Sequence, residues 1–151
     1  MSTELKIGDR APAFQMKDEK GNVMKLSQFQ GKQCVILVFY PGDLTPGCTM
    51  QLCAIRDDWK KFREMKIAVY GVNHAGPDSH QTFIKKYTFP FPLLIDSGKK
   101  VSTKYGAIKP MFKAFVIKRS VIGIDKQGII RYLKRGMPKN TEILKALQSY
   151  V

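Results

Sequence analysis

This sequence predicts an α/β fold, a mixed sheet covered on both faces by helices. Three observations predict it. Residues 35–40 and, after Lys66, the rest of 66–72 are apolar runs rich in β-branched residues, the composition of strands buried on both sides. Helical periodicity separates and follows them, most clearly at 48–62, 77–87 and 138–150. Extended segments flank Lys126-Gln-Gly128 late in the chain and read as an antiparallel pair, which makes the sheet mixed.

Each element has a local reason. Ala13-Phe-Gln-Met-Lys and Val23-Met-Lys-Leu enclose a Gly21-Asn22 turn and form an N-terminal hairpin. Ser27 caps a short turn through Phe29 that Gly31 ends. Strand 35–40 runs into Pro41-Gly42, and a helix opens near Cys48, with Met50, Ala54, Ile55, Trp59 and Phe62 near helical spacing. Strand 66–72 comes next. Pro77 then opens a helix carrying Phe83, Ile84 and Tyr87, with Asp78 or Ser79 as its cap, and Phe89-Pro-Phe-Pro breaks it. Residues 93–95 form a short strand, and 100–105 a short helix closed by Gly106. Residues 114–117 and 119–125 are extended, 129–133 return, and 138–150 close as a helix with Ile143, Leu144 and Leu147 on one face. No repeat, linker or low-complexity tract interrupts the pattern, so one domain over 1–151 is expected.

Composition narrows the function. No apolar stretch has the length of a membrane span, and the N-terminal residues carry no hydrophobic signal region, so a cytoplasmic location is expected. Three cysteines are too few for a disulfide scaffold and suit a reducing compartment. Cys34, inside an apolar run, reads as a small buried hydrophobe. The net charge of +14 comes from scattered pairs such as Lys60-Lys61 and Lys85-Lys86, without a dense basic block interleaved with aromatics. A solvated basic surface is therefore expected, not a nucleic-acid site. His74 and His80 match no compact zinc spacing with the cysteines; His74 is expected in a loop and His80 on a helix surface, with no metal and no cofactor. Met50 and Met65 read as core fillers.

The chemistry concentrates at Cys48. The sulfur sits where strand turns to helix through two Pro-Gly pairs. Backbone N–H groups at a helix start lack intrahelical partners, and the macrodipole adds positive charge at the same end; both favour thiolate over thiol. Pro46 lacks an N–H, Gly47 lets the backbone approach a ligand, and Thr45 offers a hydroxyl beside the sulfur.

Pro41, Thr45 and Cys48 reproduce the Pro-x-x-x-Thr-x-x-Cys signature, so this chain resembles the peroxiredoxins. Cys53, five residues on, makes it similar to their Q-type, bacterioferritin-comigratory branch. Lys6-Ile-Gly-Asp-Arg-Ala-Pro-Ala-Phe14, Phe91-Pro-Leu-Leu-Ile-Asp96, Lys104-Tyr-Gly106 and Arg119-Ser-Val-Ile-Gly-Ile-Asp125 resemble that branch's other landmarks in order, and nearly the whole chain is covered.

The resemblance implies a thioredoxin-like fold with an N-terminal hairpin extension and a thiol peroxidase acting on hydrogen peroxide or organic hydroperoxides. It implies that Cys48 is the peroxidatic cysteine, that Arg119 stands beside it to hold thiolate and peroxide, that Thr45 orients the peroxide as a donor, and that Pro41 shields the sulfur. Cys53 is implied as the resolving cysteine, forming an intramolecular disulfide that thioredoxin or a similar dithiol reduces; a monomer or weak homodimer is implied as well. Five residues along a regular helix separate Cα atoms by about 8.7 Å, whereas a disulfide wants about 5.5–6 Å. The first turns must therefore unwind in each cycle, and a fully helical 48–53 segment implies free thiols. Gln51 stands where a glutamate is common in the branch, and Gly123 interrupts a β-branched strand, where it suits close packing or a bulge. A non-enzymatic basic domain would not need Thr45, Cys48 and Arg119 together. A disulfide oxidoreductase would carry Cys-x-x-Cys, which is missing.

Overall fold

The computed structural model describes residues 4–151; the first three residues of the N-terminal segment read for a signal region lie outside it. Seven strands form one twisted sheet in the order β2 (Val23–Lys25), β1 (Gln15–Asp18), β5 (Leu93–Ile95), β4 (Ala68–Asn73), β3 (Val35–Phe39), β8 (Ser120–Ile124), β9 (Ile130–Arg135). The central pairs β3–β4 and β4–β5 are parallel, and the outer pairs are antiparallel. This is the mixed sheet expected from the sequence.

Both faces are covered because β3, β4 and β8 are apolar at nearly every position, and side chains alternate between faces along a strand. Ile36, Val38, Val69 and Val121 meet α1 (Pro46–Asp57), α2 (Trp59–Glu64), α3 (Pro77–Tyr87) and α5 (Asn140–Leu147) through Leu52, Ile55, Phe62, Phe83 and Leu147. Val35, Leu37, Phe39 and Ile122 face the opposite cluster, which Phe14, Val101 of α4 (Lys100–Lys104), Tyr105 and Ile117 complete.

Several local expectations are corrected. The helix read across 48–62 breaks at Asp58 into α1 and α2. Its buried face is Cys48, Gln51, Leu52 and Ile55, whereas Met50 is 63% exposed and fills no core. The turn at Leu26–Phe29 starts from Lys25, whose N–H donates to Gln28 Oε1, and Ser27 is not its cap. Gly76, not Asp78 or Ser79, is the N-cap of α3, because Ser79 turns inward to another partner. Strand β6 (Ile108–Met111) has no strong strand pattern; it forms with β7 (Ala114–Ile117) a separate two-stranded ribbon. His80, expected on a helix surface, is completely buried.

Gly123 both packs closely and marks a bulge. The β8–β9 register shifts between Gly123 and Ile124. A Cβ at Gly123 would lie 3.1 Å from Leu147 Cδ2, so glycine there lets α5 rest on the sheet.

Candidate active site

Three elements build the site around Cys48. Strand β3 ends at Phe39, Tyr40 is fully buried, and Pro41 lies exposed at the bend that follows. Leu44 adopts a left-handed conformation (φ 63°), uncommon for a branched side chain. Thr45 is the extended N-cap of α1 and Pro46 occupies its first turn, where a missing N–H costs nothing. The Thr49 N–H donates to the Thr45 carbonyl, closing the turn that contains Cys48.

The antiparallel register of β3 and β8 supplies the guanidinium. Phe39 pairs with Ser120, so the residue just before β8 emerges where β3 ends. That residue is Arg119. Its Nη2 lies 3.3 Å from Cys48 Sγ, and its Nη1 donates to Gln51 Oε1 at 2.7 Å. Helical spacing from Cys48 to Gln51 turns both side chains toward the same fork. Gly47 completes the fit, since a Cβ there would stand 3.2 Å from Arg119 Nη2. Among the described residues no carboxylate is paired with Arg119, and neutral Gln51 orients the guanidinium without cancelling its charge.

The sulfur is wholly buried beneath this fork. Thr45 Oγ1 donates its hydrogen to the Gly42 carbonyl at 2.9 Å. The expected donor is therefore committed to the turn, which leaves the Thr45 oxygen only its lone pairs, able to accept from another hydroxyl. Cys53 is partly buried on the same helix; residues 48–53 are fully helical and all three thiols are free. Cys34 is remote in role: it is buried, and its Sγ lies 3.6 Å from the Tyr150 carbonyl. Burial first, then the Asp125 charge, pushes its pKa up, which makes it a poor nucleophile.

Gln51, a departure from glutamate that can still accept a hydrogen bond, does accept one from Arg119. Sequence reasoning missed one feature. Asp43, unremarked in the turn, is buried and receives four hydrogen bonds: from Tyr40 Oη (2.6 Å), Asn73 Nδ2 (3.0 Å), Ser79 Oγ (2.7 Å) and His80 Nδ1 (2.6 Å). A lone acidic residue in an apolar Pro-Gly loop was the available signal. His74 is exposed in the bend after β4, and no cluster of metal-ligating side chains occurs among the described residues.

Beside Gln51 lies a largely apolar groove of about 250 Å³, lined by Met50, Ala54, Val121, Met137 and Ile143. A larger cavity of about 410 Å³ between β1 and the 95–101 segment shares no lining residue with this site. No helix among the described residues is long and apolar enough to cross a membrane.

Comparison with known proteins agrees with this geometry. Residues 7–133 match the AhpC/TSA family. The chain is 39% identical over 146 residues to the chloroplastic peroxiredoxin Q of Populus jackii, covering 94% of this chain and 68% of that protein. It is 39% identical to the Sedum lineare counterpart, covering 94% and 77%. The peroxidoxin BcpB structure from Mycobacterium tuberculosis superposes with a TM-score of 0.86 at 27% identity over 97% of both chains. A cysteine-to-serine mutant of Xylella fastidiosa PrxQ gives 0.88 at 25% identity over 98% of both.

Proposed function

Since this chain belongs to the AhpC/TSA family and is a peroxiredoxin, a thiol-dependent peroxide-reducing enzyme, we propose that Cys48 is its peroxidatic cysteine and Cys53 its resolving cysteine. The observation that carries this reading is the 3.3 Å contact between Arg119 Nη2 and Cys48 Sγ at a helix start. A fixed cation touches the sulfur at the positive end of a helix, an arrangement suited to a thiolate.

The Cys48 thiolate attacks one oxygen of hydrogen peroxide or an alkyl hydroperoxide, and the O–O bond breaks. Sulfur becomes a sulfenic acid, and the other oxygen leaves as hydroxide or alkoxide, which takes up a proton. Arg119 stabilises negative charge as it moves from sulfur to the leaving oxygen, and Thr45 Oγ1 accepts from the peroxide hydroxyl. The groove beside Gln51 suits the apolar tail of an alkyl hydroperoxide. The first turns of α1 then unwind, Cys53 attacks the sulfenic sulfur, and water leaves as the disulfide forms. A thioredoxin-like dithiol returns two electrons and two protons, in keeping with a cytoplasmic, reducing compartment.

Replacing Cys53 with serine tests the assignment. Peroxide should still produce a sulfenic acid trappable on Cys48 by dimedone, but no intramolecular disulfide, and thioredoxin-linked turnover should stop. Unchanged turnover removes Cys53 from the resolving role. Unchanged peroxide consumption in Cys48→Ser removes Cys48 from the mechanism.

A further inference from the structure

We propose that His80 and Asp43 form a buried positioning pair that fixes the upstream end of the unwinding segment and so keeps Cys48 against Arg119. This rests on the roles proposed above for Cys48 and Cys53. Asp43 is the only charged residue between Pro41 and Cys48. Its side chain is 3% exposed and that of His80 is fully buried. Four donors from three places converge on it: Tyr40 after β3, Asn73 at the end of β4, and Ser79 and His80 in the first turn of α3.

The protonation pattern follows from the partners. Asn73 Oδ1 accepts the Ala75 N–H, so its Nδ2 donates to Asp43. His80 Nε2 lies 3.0 Å from the Leu94 carbonyl, which can only accept. With Asp43 ionised, both ring nitrogens must donate, and the pair is imidazolium and carboxylate. The direction of the Asp43 pKa agrees: burial raises it, but hydrogen bonds from His80 and Tyr40, with the His80 charge and Ser79, outweigh burial and hold it below the usual carboxylate range. A buried pair of this kind is stringent about geometry, because either group left alone is an uncompensated charge. It also offsets the left-handed Leu44 that follows.

The downstream end is clamped independently. Asn140 Nδ2 donates to the Ala54 carbonyl and to Asp58 Oδ2, both at 2.9 Å, and Arg56 Nη1 donates to the Tyr87 carbonyl at 2.6 Å. Between the two clamps, among the described residues, the side chains of residues 44–53 have hydrogen bonds to distant parts of the fold only through Arg119. Both reacting thiols lie in that stretch. Loss of the thiolate on oxidation weakens the Arg119 tie and frees the segment, while its ends stay in place.

Trp59, the single tryptophan, opens α2 and packs against the core cluster that holds Cys48 and Leu52 of α1, so it serves as the fluorescent reporter. Stopped-flow measurements on full-length protein would separate the peroxide step from Cys48–Cys53 disulfide formation in wild type, His80→Gln and Ser79→Ala. His80→Gln should slow the peroxide step by about tenfold and leave disulfide formation at least as fast. Ser79→Ala, which removes one small donor, should show the same split more weakly and decides the matter if His80→Gln does not fold. A peroxide step within about twofold of wild type in both folded variants, or equal slowing of both steps, overturns the pair's role. A wild type that reacts with peroxide but forms no 48–53 disulfide overturns the resolving assignment instead, and leaves the effect on the peroxide step readable.

Discussion

Arg119 holds two partners with one rigid fork, and its two arms do different things. The arm on Gln51 sets the plane of the guanidinium; the arm on Cys48 Sγ brings positive charge to the sulfur proposed to react. A lysine could supply the charge but not the second bond at a fixed angle. Arg119→Ala should lower kcat/KM for peroxide by about 10²–10³, the size expected for loss of a preorganised charge donor. Gln51→Leu, which keeps the volume and removes the acceptor, should cost about tenfold through misorientation alone. Steady-state peroxide kinetics with the reductant saturating would check both; wild-type kcat/KM in Arg119→Ala would detach the guanidinium from catalysis. Residue identity alone said little about Gln51, since its meaning depends on which cation it faces.

At the scale of elements, the proposed cycle asks a helix to open and a sheet to stay closed. Helix α1 is clamped near Asp58 and free toward Cys53, which would limit how far it unwinds in that cycle. Strands β3, β4 and β8 are buried at every position but Ala68 and hold Arg119 in register. Gly123 shows how closely α5 seats on that sheet: Leu147 Cδ2 and Tyr132 Cβ would each stand 3.1 Å from an added Cβ. Gly123→Ala should destabilise the fold by about 1–3 kcal/mol through overpacking, seen as a lower Tm, without altering peroxide kinetics well below the melt. An unchanged Tm would mean that α5 yields easily. The β8–β9 hairpin and the closing helix were legible from periodicity and turn residues. Strand β6 was not, because Ile108-Lys-Pro-Met has neither alternation nor β-branched density, and its pairing with β7 supplies what its own sequence lacks.

For the whole molecule, pH acts through two buried carboxylates. In Asp43, as in Asp125, burial raises the pKa, but hydrogen bonds more than compensate; for Asp125 they come chiefly from Arg131 and from the Ile129 and Gln127 N–H groups. Both carboxyls therefore titrate below their usual range. A folded-state pKa below the unfolded value, about 3.9 for aspartate, gives stability that is complete above that value and lost as pH falls through the folded one. The Tm should accordingly drop on acidification below about pH 4, and Asp43→Asn should flatten the drop. Parallel pH profiles for wild type and Asp43→Asn would show that the carboxylate at 43 is not depressed by folding.

The amino-acid order by itself determined most of the succession of strands and helices, the N-terminal and β8–β9 hairpins, and the position of a cysteine at a helix opening. Those are properties of short windows, where side-chain period and Pro-Gly chemistry decide the backbone. That Arg119 stands beside Cys48 was expected from family resemblance alone, and a window of sequence holds no reason for it. The tertiary structure decided it through one strand register, Phe39 opposite Ser120, which joins residues far apart in the chain. It also turned His80 inward, against the surface position its helix suggested, because a buried carboxylate from another loop needs a donor more than the histidine needs water. Local order is written in neighbouring residues; who faces whom across a core depends on how all the burial is satisfied at once.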